Sequence, residues 1–321
     1  MFRVAAAAVL AARAASALPM LTVLPLGDSI TFGCGSDAAP PDWYACCLPS
    51  SGGYRAPLWA ALNGSGINAS VLMVGTESEG PDWVPVEQRA HEGHPGWTIG
   101  GIHGLRSVWQ KLAPDAVLLM AGTNDVGQGH SNASMAADYD ALLKDLRADL
   151  PAGRILITSI LNLPDSQHPE FRNTIDFFNA VTLPPLAAKY GADFVDINGA
   201  TGMCYGPNNT LTNLCAVCNG PCGGYNPNAC ECSPRRGGAS AGPLGSVACE
   251  RFAAPRANPA SIALNPATAR PSHLLAGPPN GYSLCHPTGA GYELMAGVWA
   301  NALLPILRGL AAAAALAAPQ V

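Results

Sequence analysis

Short apolar runs alternate with helix-patterned segments along this chain, and the alternation predicts an α/β fold built on a parallel sheet with helices on both faces. Two observations carry that prediction. Residues 21–26, 71–74, 116–120, 155–160 and 192–197 are five mostly apolar segments of strand length, as expected of buried strands. Between and after them, segments 54–62, 99–112, 135–150, 174–190 and 291–310 carry apolar residues at helical spacing.

Taken in order, the first strand runs into Gly27-Asp28-Ser29-Ile30-Thr31. A serine just past a first strand sits where open α/β sheets place their ligands. A glycine-containing turn and a Pro- and Cys-containing loop (37–51) follow. The first helix is spaced by Tyr54, Leu58, Ala61 and Leu62. Residues 75–94 are polar and turn-rich and read as a long loop, a feature usually tied to function or mobility. The next helix is read over 99–112, with Gly100, Gly101 and Gly104 weakening its start. The third strand leads directly into Gly122-Thr123-Asn124-Asp125. Met135, Tyr139, Leu142, Leu143, Leu146 and Leu150 then give an amphipathic helix, with Ser131 or Asn132 as its N-cap. The helix over 174–190 is expected to kink or break at Pro184-Pro185.

The pattern fails over residues 199–282, which read as an insertion between a domain of 18–198 and its completion at 283–321. The insertion holds Cys204, Cys215, Cys218, Cys222, Cys230, Cys232 and Cys249 among many Gly, Pro and Asn residues. Disulfides are the expected use of these cysteines; a zinc site on Cys215, Cys218, Cys230 and Cys232 is the rejected alternative, because its spacing is only approximate. No metal is expected.

Composition narrows the class. The chain has 321 residues, 49% hydrophobic and 12% charged, with a formal net charge of −5. No basic cluster occurs, which excludes nucleic acid as an expected partner. Met1-Phe2-Arg3, an apolar run and then Ala15-Ser16-Ala17 have the form of a secretory signal peptide over residues 1–17. Eleven cysteines and sequons at Asn63, Asn68, Asn132 and Asn208 fit an extracellular location. No uninterrupted apolar run reaches membrane-spanning length, so no membrane insertion is expected. Nothing in the sequence sets the oligomeric state.

Four short stretches carry a family resemblance. They are Gly27-Asp28-Ser29-Ile30-Thr31, Gly93-His94-Pro95-Gly96-Trp97-Thr98, Gly122-Thr123-Asn124-Asp125, and His286-Pro287 with Gly291-Tyr292 behind it. In that order and spacing the chain resembles the SGNH (GDSL-type) hydrolases. The second stretch, with Glu92 before it, looks like that of carbohydrate esterase family 3, whose members include acetylxylan esterases. The resemblance implies a three-layer α/β/α sandwich of flavodoxin-like character with a five-stranded parallel sheet. It implies a secreted serine esterase that removes ester groups, O-acetyl above all, from a polysaccharide without a cofactor. Ser29 matches the nucleophile and His286 the base; a serine hydroxyl needs such a base to attack an ester. The backbone N–H of Ser29, that of Gly96 (or Gly93) and the side-chain amide of Asn124 match the donors that receive the developing oxyanion.

Asp28, His94 and Trp97 are candidate substrate contacts, Trp97 by stacking on a sugar. Asp28 is also read as a turn residue. His91, Glu92 and His94 are expected to line the cleft rather than hold a metal, because Gly93 and Pro95 disfavour the helix that would align the two histidines.

One departure stands out. The family's aspartate three residues before the histidine is replaced here by Ser283. Ser283, a backbone carbonyl, Glu231 or Glu250 would then orient the imidazole. Two other readings stay open: a lipid or small-ester hydrolase, and a catalytically weak or inactive carbohydrate-binding protein on the same fold. Cys285, next to the base, is expected to form a disulfide that tethers the histidine loop, with Cys249 the nearest partner in sequence and Cys34 a less favoured one.

Overall fold

The computed structural model describes residues 18–34, 52–161, 169–201, 204–205, 211–212, 286–287 and 289–317. The strands are β1 (Met20–Gly27), β2 (Ser70–Met73), β3 (Glu92–Gly93), β4 (Ala116–Met120), β5 (Arg154–Thr158) and β6 (Asp193–Val195). The sheet order is β2-β1-β4-β5-β6, and every pairing is parallel. Each of the five apolar runs is therefore a strand of one sheet. The segment read as a plain loop between 75 and 94 adds a sixth. β3 pairs Glu92 and Gly93 with Leu26 and Gly27, extending the edge that β2 occupies lower down β1. A two-residue strand is too short to leave a periodic signal. The same segment holds a 3-10 turn over Val86–Gln88 and a bridge from Glu77 to His91.

Side chains alternate across the sheet and feed two apolar layers. Leu24, Leu26, Val117, Leu119, Ile155 and Ile157 pack with Ile99, Trp109, Leu142 and Phe178 on one face. Val23, Leu118, Met120 and Leu156 pack with Leu58, Met295, Trp299 and Leu303 on the other. The result is the anticipated three-layer α/β/α sandwich.

The helices are α1 (Ser29–Phe32), α2 (Arg55–Asn63), α3 (Ile99–His103), α4 (Arg106–Leu112), α5 (Thr123–Gly127), α6 (Asn132–Asp149), α7 (Pro169–Phe177), α8 (Leu183–Tyr190), α9 (Ile197–Thr201) and α10 (Gly289–Ala317). One expectation needs correction. Segment 99–112 is two helices, because the Gly104 N–H folds back on the carbonyls of Gly100 and Gly101 and closes α3. The break expected at Pro184-Pro185 is present: α7 gives way to a π-helical segment, Phe178–Thr182, and α8 starts afresh at Leu183 with both prolines in its first turn. Of the two candidate caps of α6, Ser131 is the one used, its hydroxyl accepting from the Ser134 N–H. In α10, Gly291–Leu316 is apolar enough by length and composition to cross a membrane. Of its apolar window 28% is buried; the buried face, with Tyr292, Met295, Trp299, Leu303 and Leu307, packs against the sheet.

The signal-like segment, nearly all of 199–282, Ser283 and Cys285 lie outside the described residues. Within 199–282, Cys204–Tyr205 pairs antiparallel with Leu211–Thr212. Cys34 is buried and disulfide-bonded.

Chain direction places the site. From β1 the chain moves outward to β2, then returns to β4 on the opposite flank of β1. Connections diverge between β1 and β4, and such a switch point opens a crevice at the carboxyl ends of the strands. α1 and α5 follow those two strands directly.

Candidate active site

Ser29 opens α1, a single helical turn. Asp28 caps it, its Oδ1 accepting the Ile30 N–H at 2.9 Å. The Asp28 carboxyl is fully buried and faces this turn, which removes it from the candidate substrate contacts. Burial pushes its pKa up to about 7. Ser29 itself is 5% exposed. Its Oγ lies 2.8 Å from Nε2 of His286, a residue 257 positions further along the chain. Burial holds the His286 imidazole down to about 4. It is therefore neutral at neutral pH, and its Nε2 lone pair accepts the serine proton when Nδ1 carries the ring hydrogen. Ser283, Glu231 and Glu250, considered for orienting the ring, lie outside the described residues.

The donors for an oxyanion surround the same point. As the first residue of α1, Ser29 presents a backbone N–H with no intrahelical partner. The loop bearing Gly96 is pinned at both ends. His94 N–H donates to the Gly27 carbonyl at 3.0 Å, and Ile99 N–H donates to Asp125 Oδ2 at 3.0 Å. Gly96 is exposed, with φ +83° and nothing within 4 Å of where a Cβ would sit. Asn124 Nδ2 donates to the Trp97 carbonyl at 2.8 Å, which binds α5 to this loop. An amide nitrogen has two hydrogens, so a second remains for a ligand.

Of the two glycines considered for the hole, geometry favours Gly96. The Gly93 N–H is already given to His91 Nδ1 at 2.9 Å. A Cβ on Gly93 would meet the Phe32 nitrogen at 2.3 Å, so this glycine serves the close approach of β3 to α1.

The residues expected to line the cleft divide. His91 and Glu92 are fully buried and do not reach it. His91 accepts from Gly93 through Nδ1, so its ring hydrogen lies on Nε2, 3.1 Å from Glu79 Oε2. Burial lowers its pKa to about 3, while the contact from His91 draws that of Glu79 down to about 2. Glu92 accepts the Thr76 N–H and faces His94 Nε2 at 2.9 Å. His94 is half-buried and stacks on Trp97, centroids 4.2 Å apart and planes at 20°. The Trp97 indole is 38% exposed.

Two residues around the site were not anticipated. Asp125, fully buried, joins the Gly96 loop to α5 as described above. Arg55, at the start of α2, is 2% exposed and contacts α1. Its sequence signal was available: Arg55, Leu58 and Leu62 share one helical face, and the other two are core. Among the described residues, Asp125, His130 and Asp138 have metal-ligand spacing, with ligand atoms within 4.8 Å of one another. Both Asp125 oxygens are engaged, by the Ile99 N–H and by His130 Nδ1, so the group reads as a hydrogen-bonded cluster.

Fold and site together define a flavodoxin-like α/β protein with a serine–histidine pair at the switch point of its sheet. The pattern of the GDSL-like lipase/acylhydrolase family matches residues 26–216, more than half of the chain. The chain belongs to that family. A multidomain esterase of Ruminococcus flavefaciens is 30% identical over 177 residues, which is 49% of this chain but only 21% of that protein. The chain thus spans a small part of that relative. Among solved structures, a family 3 carbohydrate esterase of Clostridium thermocellum superposes with a TM-score of 0.53 at 17% identity, covering 91% of this chain and 99% of that one. A family 3 carbohydrate esterase of Talaromyces cellulolyticus has a TM-score of 0.44 at 24% identity, over 56% of this chain and 80% of that one.

Proposed function

We propose that this protein hydrolyses carboxylic esters, with O-acetyl groups on a carbohydrate as its substrate, through an acyl-enzyme on Ser29. The observation that carries the reading is the 2.8 Å contact between Ser29 Oγ and His286 Nε2, beside the donors on Ser29, Gly96 and Asn124. In the first half-reaction His286 takes the Ser29 proton as Oγ attacks the carbonyl carbon. The carbonyl oxygen becomes an oxyanion, and fixed N–H donors stabilise it more than the ground-state carbonyl. Collapse expels the sugar hydroxyl, protonated by His286. In the second half-reaction His286 activates water, which releases the acid and restores Ser29. The chemistry calls for no cofactor.

The half-exposed Trp97 indole, stacked on His94 beside the hole, favours a sugar over an acyl chain as the neighbouring group. Carbohydrate esterases among the related proteins support the same choice. Secretion follows as part of the proposal: the signal-like start and the disulfide at Cys34 fit an oxidising compartment.

The test compares wild type with Ser29→Ala on a short activated acetate ester and on an acetylated polysaccharide. Wild type should release acetate from both, and Ser29→Ala from neither. Equal rates in the two proteins would defeat the enzyme reading and leave a binding protein on this fold. A preference for long-chain esters would replace the carbohydrate with a lipid.

A further inference from the structure

Arg55 is a charged side chain placed in the core. It lies on the α2 face shared with Leu58 and Leu62 and is 2% exposed. Among the described residues no carboxylate comes within ion-pair distance of it. Its donors go to four backbone carbonyls instead. Nε donates to Thr31 O at 2.9 Å, and Nη2 to Phe32 O at 2.9 Å. Nη2 also reaches Glu79 O at 2.9 Å, and Nη1 reaches Arg89 O at 2.8 Å. Burial lowers its pKa to about 10, so the group is charged at neutral pH.

These four acceptors belong to two segments. Thr31 and Phe32 are the last two residues of α1, whose first residue is Ser29. A helix of one turn leaves its terminal carbonyls unpaired. Glu79 and Arg89 flank a loop between β2 and β3 that is fastened from within, since the Arg89 side chain donates from Nε to Val84 O at 2.8 Å. That loop also supplies Glu79 to His91, which in turn holds the Gly93 N–H against α1. One planar fork therefore fastens the nucleophile's helix to a braced loop. A single turn this short has few bonds of its own: Phe32 N–H to Asp28 O, and Gly33 and Cys34 N–H to Ser29 O.

We propose that Arg55 is a positioning residue for ester hydrolysis: its guanidinium fixes α1 against the Glu79–Arg89 loop and thereby sets the Ser29 hydroxyl against His286 and the Ser29 N–H in the oxyanion hole. The inference rests on Ser29 being the nucleophile. It requires arginine in particular. Lysine has the charge but only three donors from one point, and it cannot span carbonyls on two segments in a planar fork. A displacement of about 1 Å in a reacting group costs roughly 10²-fold in rate.

The test measures kcat and KM on an activated acetate ester for wild type, Arg55→Lys, Arg55→Ala and Ser29→Ala, with thermal melts of each. Arg55→Lys should remain folded with kcat lowered roughly 10²-fold and KM within about threefold of wild type. Added guanidinium ion at low, non-denaturing concentration should restore kcat in Arg55→Ala, while methylammonium should not. If Arg55→Ala fails to fold, Arg55→Lys decides by its kcat. Wild-type kcat in either folded Arg55 variant, or a loss confined to KM, would overturn the proposal. Should Ser29→Ala keep wild-type activity, the nucleophile assignment itself fails; an inactive Ser29→Ala beside a fully active Arg55→Lys removes only the role given to Arg55.

Discussion

The turn that carries Ser29 and the loop that carries Gly96 face the same crevice but are built in opposite ways. Around Ser29 almost everything is buried: Asp28, Ile30, Thr31, Arg55 and Cys34 are all inside the protein. Bonds converge on that turn from Asp28, Arg55 and Tyr292, whose hydroxyl donates to the Cys34 carbonyl at 2.7 Å. Around Gly96 the chain is exposed, with Pro95, Gly96 and Trp97 all open to solvent. That loop is anchored at its ends, by His94 to Gly27 and by Ile99 to Asp125, and by Asn124 at the Trp97 carbonyl. The contrast teaches a division of labour. The group that must not move sits in the packed layer, while the groups that meet a varied substrate sit on a tethered rim.

Five substitutions probe that contrast, in falling order of effect. His286→Ala removes the base and should lower kcat by about 10⁴-fold or more in steady-state assays, with the melt little changed. Asn124→Ala removes a donor to the oxyanion and also the bond to the Trp97 carbonyl. Its kcat should fall by roughly 10²–10³-fold with a smaller change in KM.

The two glycines should then separate the regions by kind of damage. Gly93→Ala forces a Cβ to within 2.3 Å of the Phe32 nitrogen, a backbone atom that cannot yield without moving α1. A loss of roughly 2–3 kcal/mol in denaturant unfolding is expected. Gly96→Ala meets open space but a φ of +83°, so it should cost about 1 kcal/mol or less, relieved by a shift of the exposed loop. Its signature is a lower kcat at a nearly unchanged melting temperature. The reverse pattern, with Gly96→Ala the less stable protein, would refute the division. Smallest of all, Trp97→Ala should raise KM for an acetylated polysaccharide by about tenfold and leave hydrolysis of a small activated acetate almost untouched.

Much of this site was legible in the sequence because its residues lie next to strongly patterned strands. Ser29 and Asn124 follow β1 and β4 within a few positions, so locating the strands located them. His286 and Gly96 came from short motifs, not from periodicity, and the structure brings both regions to the same crevice. What stayed hidden depends on contacts distant in sequence. Whether His91, Glu92 and His94 faced the cleft could not be read from their types, because burial of the first two is decided by β3 docking on the end of β1. Arg55 had a signal, a charge on an apolar helical face, but its acceptors are backbone carbonyls, which no residue pattern reveals. The split of 99–112 into two helices turned on Gly104, whose effect falls in the middle of the segment and not at its start.

The His286 environment fixes a pH dependence. Its folded pKa is held near 4, below the usual 6.5, so the base is lost to protonation only as pH falls through about 4. The free-enzyme profile of kcat/KM should rise through that value and reach a plateau by neutral pH. For stability the sign is the same. The unfolded chain binds the proton first, so the buried neutral ring lowers folding stability as pH drops from about 6.5 toward 4.

Covalent labelling of the intact protein with phenylmethylsulfonyl fluoride, read by peptide mass mapping across pH, tests the Ser29–His286 pair most directly. A single adduct on Ser29 is expected, forming at a rate that falls away below about pH 4 and is suppressed by at least about 10²-fold in His286→Ala. An adduct on another residue, or one on Ser29 that forms equally fast without His286, would contradict it.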